Sequence, residues 1–244
     1  MIKLIACILM VIDHVGAIFF PNCTFGLILR LIGRLCMPLF AYAIATGVYH
    51  TKSWSRRTKY IGYLLIFTIV SQYPYYLMGQ HTGAPFMLNI GATWFIAVLI
   101  LTCVEQILKE LNNFTKGRWL LYSASTLAAI SSIIGLLIFI AIKAPVEYTW
   151  YGVIYPLIFY GFIVAKNERK EKQTKEWQKT WMYNIMLNVG YGALTFNFLQ
   201  PLAMLALPLI QIKGNHKILP KWFFYVFYPG HILLLLGMYH LIHQ

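Results

Sequence analysis

Asp13 and His14 stand side by side inside the apolar run IKLIACILMVIDHVGAIFF, and Arg30 and Arg34 follow four residues apart near the start of the next apolar run. His231 comes directly after Pro229-Gly230 in a third run, FFYVFYPGHILLLLGMYH. A histidine moves protons near neutral pH because its unperturbed pKa is about 6.5, whereas an arginine holds a fixed positive charge. Adjacent helical residues point about 100° apart, so Asp13 is not expected to orient His14 directly. An ion pair between Asp13 and Arg34 fits their depths better, with Arg30 and Arg34 on one helical face. The competing readings are structural: arginines that only snorkel to headgroups, and histidines satisfied within a core. His240 and His243, at the end of the last run, read as interfacial.

Weaker polar patterns accompany these groups. Asn184, Asn188, Tyr191 and Thr195 recur at i, i+4, i+7 and i+11, and Asn89 and Thr93 repeat the i, i+4 spacing. Either stripe lines a cavity or packs between helices. Ser71-Gln72-Tyr73-Pro74 places polar groups beside a helix-disrupting proline.

The elements that must position these residues follow from composition. The 244 residues are 59% apolar and only 11% charged, against about 25% charged in soluble domains. Too little polar surface exists to cover a water-soluble globule, so the chain reads as an all-α polytopic membrane protein, one bundle over residues 1–244. Apolar stretches fall near residues 2–20, 27–49, 60–79, 88–108, 119–142, 150–165, 182–199, 201–212 and 222–242. Proline at 201 would kink one helix or separate two. Pro229-Gly230 is expected to break the last helix near the midplane.

The formal charge of +13 would suggest a nucleic-acid partner in a soluble protein, but topology accounts for it. With the N-terminus inside, Lys3 and the basic loops near 50–59, 109–118, 166–181 and 213–221 place 17 of the 20 Lys and Arg on the cytoplasmic side. Only Arg30, Arg34 and Lys143 fall opposite. Cytoplasmic loops attract Lys and Arg, so nine spans, N-in and C-out, are expected, with no nucleic-acid partner. Six tryptophans, Trp54, Trp119, Trp150, Trp177, Trp181 and Trp222, fall at segment ends, where indole rings sit at headgroup level. The hydrophilic stretch KNERKEKQTKEWQK from Lys166 to Lys179 reads as a cytoplasmic linker or a short surface helix. Cys7, Cys23, Cys36 and Cys103 are scattered without a C-x-x-C pair, so they read as packing residues, with neither disulfides nor a metal site indicated. No tandem repeat is visible, and the first segment reads as a retained helix, not a signal peptide.

At these residues the chain resembles the TraX family, membrane proteins associated with N-terminal acetylation of conjugative pilins and similar to the larger group of multi-span acyltransferases. The opening K…M-x-x-D-H is matched by Lys3, Met10, Asp13 and His14, and G-R…P-L-F…G by Gly33, Arg34, Pro38, Leu39, Phe40 and Gly47. S-x-x-P is matched by Ser71 and Pro74, N-x-x-x-T by Asn89 and Thr93, and an acid-Tyr pair before Gly by Glu147, Tyr148 and Gly152. The closing F-Y-x-F-Y-P-x-H is matched by Phe224, Tyr225, Phe227, Tyr228, Pro229 and His231. Glu147 stands where the family more often has Asp, and Lys213-Gly214-Asn215-His216 replaces an Asn-Gly-x-x-Gly-like stretch.

The resemblance implies acyl transfer from acetyl-CoA or another acyl-CoA, used as co-substrate without a permanently bound cofactor, at the bacterial cytoplasmic (inner) membrane. The acceptor would be a protein, peptide or glycan carrying an amine or hydroxyl. In that reading His14 is the base, Arg34 with Arg30 stabilises the oxyanion, Asp13 holds the arginine, and His231 is the second proton-transfer candidate. Arg56, Arg57 and Lys59 would attract CoA phosphates, and Asn89, Thr93, Asn184, Asn188 and Tyr228 would line the substrate path. Two other classes compete: a small-molecule or proton-coupled transporter, since intramembrane charges also build relays, and a non-catalytic membrane assembly factor. Turnover of acetyl-CoA separates the enzyme from both.

Overall fold

In the computed structural model the residues described are 1–115, 130, 131, 133–135, 137, 138, 140, 142, 143, 145–168, 173–195, 200–211 and 220–243. The first apolar run forms α1, Ile2–Phe19, which at 1.5 Å per residue extends about 27 Å. That length suits a hydrocarbon core of about 30 Å. The second run divides into α2, Thr24–Gly33, and α3, Cys36–His50. The cause is Pro38, which has no N–H to give the Arg34 carbonyl and whose ring crowds that carbonyl. Arg34 therefore sits at a break in the helix, although its own N–H still bonds the Arg30 carbonyl at 3.1 Å, so the two arginines keep their one-turn spacing.

Next comes α4, Trp54–Thr82, a helix of 29 residues that runs through Pro74 and closes on Gly83 in the left-handed conformation, φ 69°. Helix α5, Ile90–Thr115, starts where the Asn89 side chain accepts the Gly91 N–H at 2.8 Å, an N-cap. The described residues between 130 and 143 are helical. Then follow α6, Thr149–Glu168, α7, Gln173–Thr195, a 3₁₀ helix, Gln200–Ala206, the short α8, Leu207–Ile210, and α9, Lys221–Ile242.

Helix α1 packs against α2, α3 and α9, α3 against α6, α4 against α5 and α9, and α6 against α5 and α7. Between lipid-embedded helices the hydrophobic drive is weak and close backbone approach through small residues takes its place. Gly33 shows this at the α1–α2 contact: a Cβ there would come within 2.3 Å of the Asp13 Cβ. Among the described residues three apolar clusters result, the smallest around Ile96, Val146 and Val153, and two larger ones. One joins Met37, Leu39, Tyr151, Tyr155, Phe159 and Leu207; the other joins Met10, Phe67, Trp94, Leu101, Tyr228 and Ile232. Phe40, Tyr148 and Tyr160 pack against both, so α3 and α6, with the turn before α6, form the seam between them.

The described residues meet these expectations in part. Among the described residues five stretches are long and apolar enough to cross a membrane: Ile2–Phe19, Thr24–His50, Trp54–Thr82, Ile90–Glu110 and Trp222–Ile242. The expected span 119–142, with Trp119 and most of the basic loop 109–118, lies largely outside the described residues, as do 169–172 of the hydrophilic stretch and 212–219 of the last basic loop. The hydrophilic stretch is mostly helix, because α6 continues to Glu168 and α7 begins at Gln173. Over residues 182–212, where one kinked helix or two were both open, the described residues do not form a single α-helix: α7 is described to Thr195, and a 3₁₀ helix runs over Gln200–Ala206. Nor does Pro229-Gly230 break α9, which is continuous from Lys221 to Ile242. A proline removes one donor, and here the helix absorbs that loss.

Candidate functional site

His14, late in α1, and His231, midway along α9, are 217 residues apart in sequence and buried against each other, with Nδ1 of His14 2.6 Å from Nε2 of His231. Their ring planes lie within 4° of parallel. The next contact assigns the protons: His231 Nδ1 is 2.8 Å from the Phe227 carbonyl oxygen, which can only accept. His231 therefore carries its proton on Nδ1, Nε2 accepts from His14 Nδ1–H, and His14 keeps a lone pair on Nε2. A neutral imidazole whose Nδ1–H is anchored presents its other nitrogen as a base. Phe227 stacks on His231 at 5.0 Å, and Tyr228 meets His14 edge-on at 6.3 Å and His231 at 5.8 Å.

One residue back on α1, Asp13 lies within electrostatic reach of Arg34 and Arg30, and Arg30 also reaches His14. Arg34 is half-buried at the α2–α3 break, hydrogen-bonded to the Tyr148 side chain and within reach of Asp13 and Glu147. The turn that supplies Glu147 and Tyr148 is held from several directions. Leu88 N–H bonds the Pro145 carbonyl at 2.6 Å, Glu147 N–H bonds the Leu88 carbonyl at 2.9 Å, and the Thr93 hydroxyl bonds the Glu147 carbonyl at 2.6 Å. Tyr148 and Thr149 both adopt positive φ, 60° and 45°, at a cost of about 1–3 kcal/mol each for non-glycine residues.

The structure thus gathers Asp13, His14, Arg30, Arg34, Tyr228 and His231, drawn from α1, α2, the α2–α3 break and α9. Asn89 and Thr93 serve this centre indirectly. Thr93 holds the Glu147 turn, while the Asn89 amide bonds the Thr68 carbonyl at 2.8 Å and Gln72 at 3.0 Å.

The remaining sequence candidates lie elsewhere. Asn188 accepts from the Tyr151 hydroxyl at 2.7 Å and donates to the Tyr155 hydroxyl at 2.5 Å and the Asn184 carbonyl at 2.6 Å, a separate α6–α7 network. The side chain of Thr195 lies outside the described residues. Arg56 and Lys59 are exposed. Arg57 is buried and pairs with Glu105 at 2.7 Å. Glu147, Tyr148 and Tyr75, which neighbours Glu147 electrostatically, escaped the reading by hydropathy. Glu147 falls between apolar runs, and the acid-Tyr motif was the one signal that marked it. Among the described residues no group of three His, Cys, Asp or Glu is arranged to hold a metal ion.

The comparison with protein families decides the lineage. The model of the TraX protein family matches residues 1–239. The chain belongs to the TraX family. It is also similar to a probable fimbrial assembly protein, FimC of serogroup H1, from Dichelobacter nodosus, 25% identical over 247 residues that cover 96% of this chain and 92% of the relative. No solved structure matches the chain. The family match runs from α1 into α9, so His14, Arg34 and His231 all lie within the matched residues.

Proposed function

We propose that this TraX-family protein is a multi-pass acyltransferase of the bacterial inner membrane, moving acetyl from acetyl-CoA to an amine or hydroxyl of a membrane-associated or exported acceptor. The fimbrial assembly relative favours a pilin-like acceptor. The observation that carries the reading is the ordered pair His14–His231, which leaves His14 Nε2 as a base, with Arg30 within electrostatic reach of it and half-buried Arg34 within reach of the adjoining Asp13.

The acceptor attacks the thioester carbonyl carbon. Its proton passes to His14 Nε2, and the oxyanion that forms is stabilised by Arg34 with Arg30, each such donor being worth about 10²–10³ in rate. As the intermediate collapses, the C–S bond breaks, the thiolate takes the proton from His14 and leaves as CoA, and the acyl group stays on the acceptor. The His231 ring, tied to Phe227 O, keeps the His14 tautomer fixed throughout. With the N-terminus inside, as the lysine and arginine distribution favours, exposed Arg56 and Lys59 would meet the CoA phosphates on the cytoplasmic side.

Labelled acetyl-CoA supplied to purified protein in nanodiscs, with a crude envelope fraction as acceptor, tests this. Transfer by the wild type that is lost in His14→Ala supports it. No turnover and no acetyl-CoA binding by the wild type overturns it and shifts weight to a transporter or an assembly factor.

A further inference from the structure

Glu147 has no place in the mechanism above, yet its carboxyl is built into the same centre. One side of the carboxyl meets the Ile90 N–H at the start of α5, where helix geometry leaves donors free and favours negative charge. The other oxygen, Oε2, is fully covered and has no hydrogen-bond partner among the described residues. Leaving a buried polar atom unpaired costs about 1–3 kcal/mol, more when it is charged. Two consecutive non-glycine residues at positive φ follow Glu147, and three hydrogen bonds pin the turn. Strain and desolvation are therefore spent together to hold one acceptor atom open, within electrostatic reach of Asp13 and Arg34.

Resting on the acyltransferase reading, we propose that Glu147 is a further substrate-touching residue whose Oε2 accepts a hydrogen from the acceptor's nucleophilic head group. His14 Nε2 takes the other hydrogen, so the two acceptors together fit a head carrying at least two, as a primary amine does. The balance is simple. The N–C bond forms at the thioester carbon, one N–H proton goes to His14 Nε2 and on to the departing thiolate, and the second N–H stays on nitrogen, donated to Glu147. The bound head group satisfies the oxygen that is otherwise unpaired.

Hydroxylamine serves as the probe nucleophile, since its acetylation by acetyl-CoA gives acetohydroxamate, which is read colorimetrically. Glu147→Gln keeps an oxygen for Ile90 and replaces the acceptor with a donor. It is expected to lower kcat for hydroxylamine about 10²-fold, at the lower end of positioned proton-handling groups, with KM for acetyl-CoA unchanged within about twofold. Glu147→Ala is expected to regain part of the lost rate when formate is added, because formate supplies the missing oxygen, an effect a purely structural carboxylate would not show. Unchanged hydroxylamine turnover in Glu147→Gln overturns the proposal and leaves the acyltransferase reading standing. Loss of turnover with a raised acetyl-CoA KM and no formate rescue overturns it too, assigning Glu147 to the fold. A wild type that neither binds nor turns over acetyl-CoA removes both.

Discussion

Among the described residues, one cluster of charge gathers around buried His14 and another around buried Arg57, and they are finished differently. Arg57 donates to the Thr51 hydroxyl at 3.0 Å, the Thr102 hydroxyl at 2.9 Å and the Val48 carbonyl at 2.7 Å, and pairs with Glu105, which also accepts from the Tyr160 hydroxyl. Those contacts tie α3, α4, α5 and α6 together and bring every charge to a partner. Around His14 a lone pair on Nε2 and the Oε2 of Glu147 are left over, and the backbone beside them is strained. A membrane charge is expensive wherever it lies. Closing the network around it recovers stability, while leaving it open reserves polar atoms for something that binds.

Substitutions should separate the two clusters by which quantity they change. The largest effect belongs to His14→Ala, expected to lower acyl transfer by about 10²–10⁴-fold, the usual share of a positioned base, while the protein inserts normally and melts within a few degrees of the wild type. Full transfer by a correctly inserted His14→Ala protein ends the proposed mechanism and with it the contrast. Arg57→Ala should do the reverse. It leaves half-buried Glu105 with the Tyr160 hydroxyl alone, so the cost should fall below the about 3–5 kcal/mol of breaking a fully buried pair, read as a lower unfolding midpoint on detergent titration. Activity per folded molecule should stay near wild type; a specific loss of turnover would place Arg57 with the reacting groups after all.

Arg34→Lys comes third and sharpens the boundary. Lysine keeps the charge near Asp13 but lacks the planar fork that can serve Tyr148 and an oxyanion together. Transfer is expected to fall about 10-fold to 10²-fold, within the range set by losing one oxyanion donor, with KM for acetyl-CoA little changed. A lysine variant as active as the wild type would reduce Arg34 to a charge partner of Asp13.

How much of this was legible in the sequence follows from what each residue depends on. The apolar runs that became α1, α4, α5 and α9 exceed what a core helix needs, so composition alone exposes them. Asp13, His14 and Arg34 stood out because charge inside such a run has no cheap explanation. Other features depend on partners distant in the chain. Nothing local says that His231 meets His14 across 217 residues, or that Arg57 turns inward while Arg56 turns out. Pro38 and Pro229 look equally disruptive in sequence, yet the chain breaks before the first and runs through the second. Glu147 hid because a carboxylate between two apolar runs reads as surface, and only the return of its turn onto Leu88 and Thr93 brings it inward.

The smallest effect is expected where histidines gather without either kind of design. At the end of α9, His243 stacks on Tyr239 at 4.1 Å, and its Nδ1 bonds the Tyr239 carbonyl at 2.9 Å. Tyr239 in turn meets His81, whose Nε2 lies 3.2 Å from the Ile18 carbonyl. His243 is exposed, so water replaces its hydrogen bond at little cost, and no strained backbone or covered, unpaired atom adjoins it. His243→Ala should change neither transfer nor unfolding midpoint beyond about 0.5 kcal/mol, the usual span for surface substitutions. A marked loss of transfer in that variant would show that an imidazole near the chemistry needs no buried, half-open network to matter, and the distinction between the His14 and Arg57 clusters would lose its force.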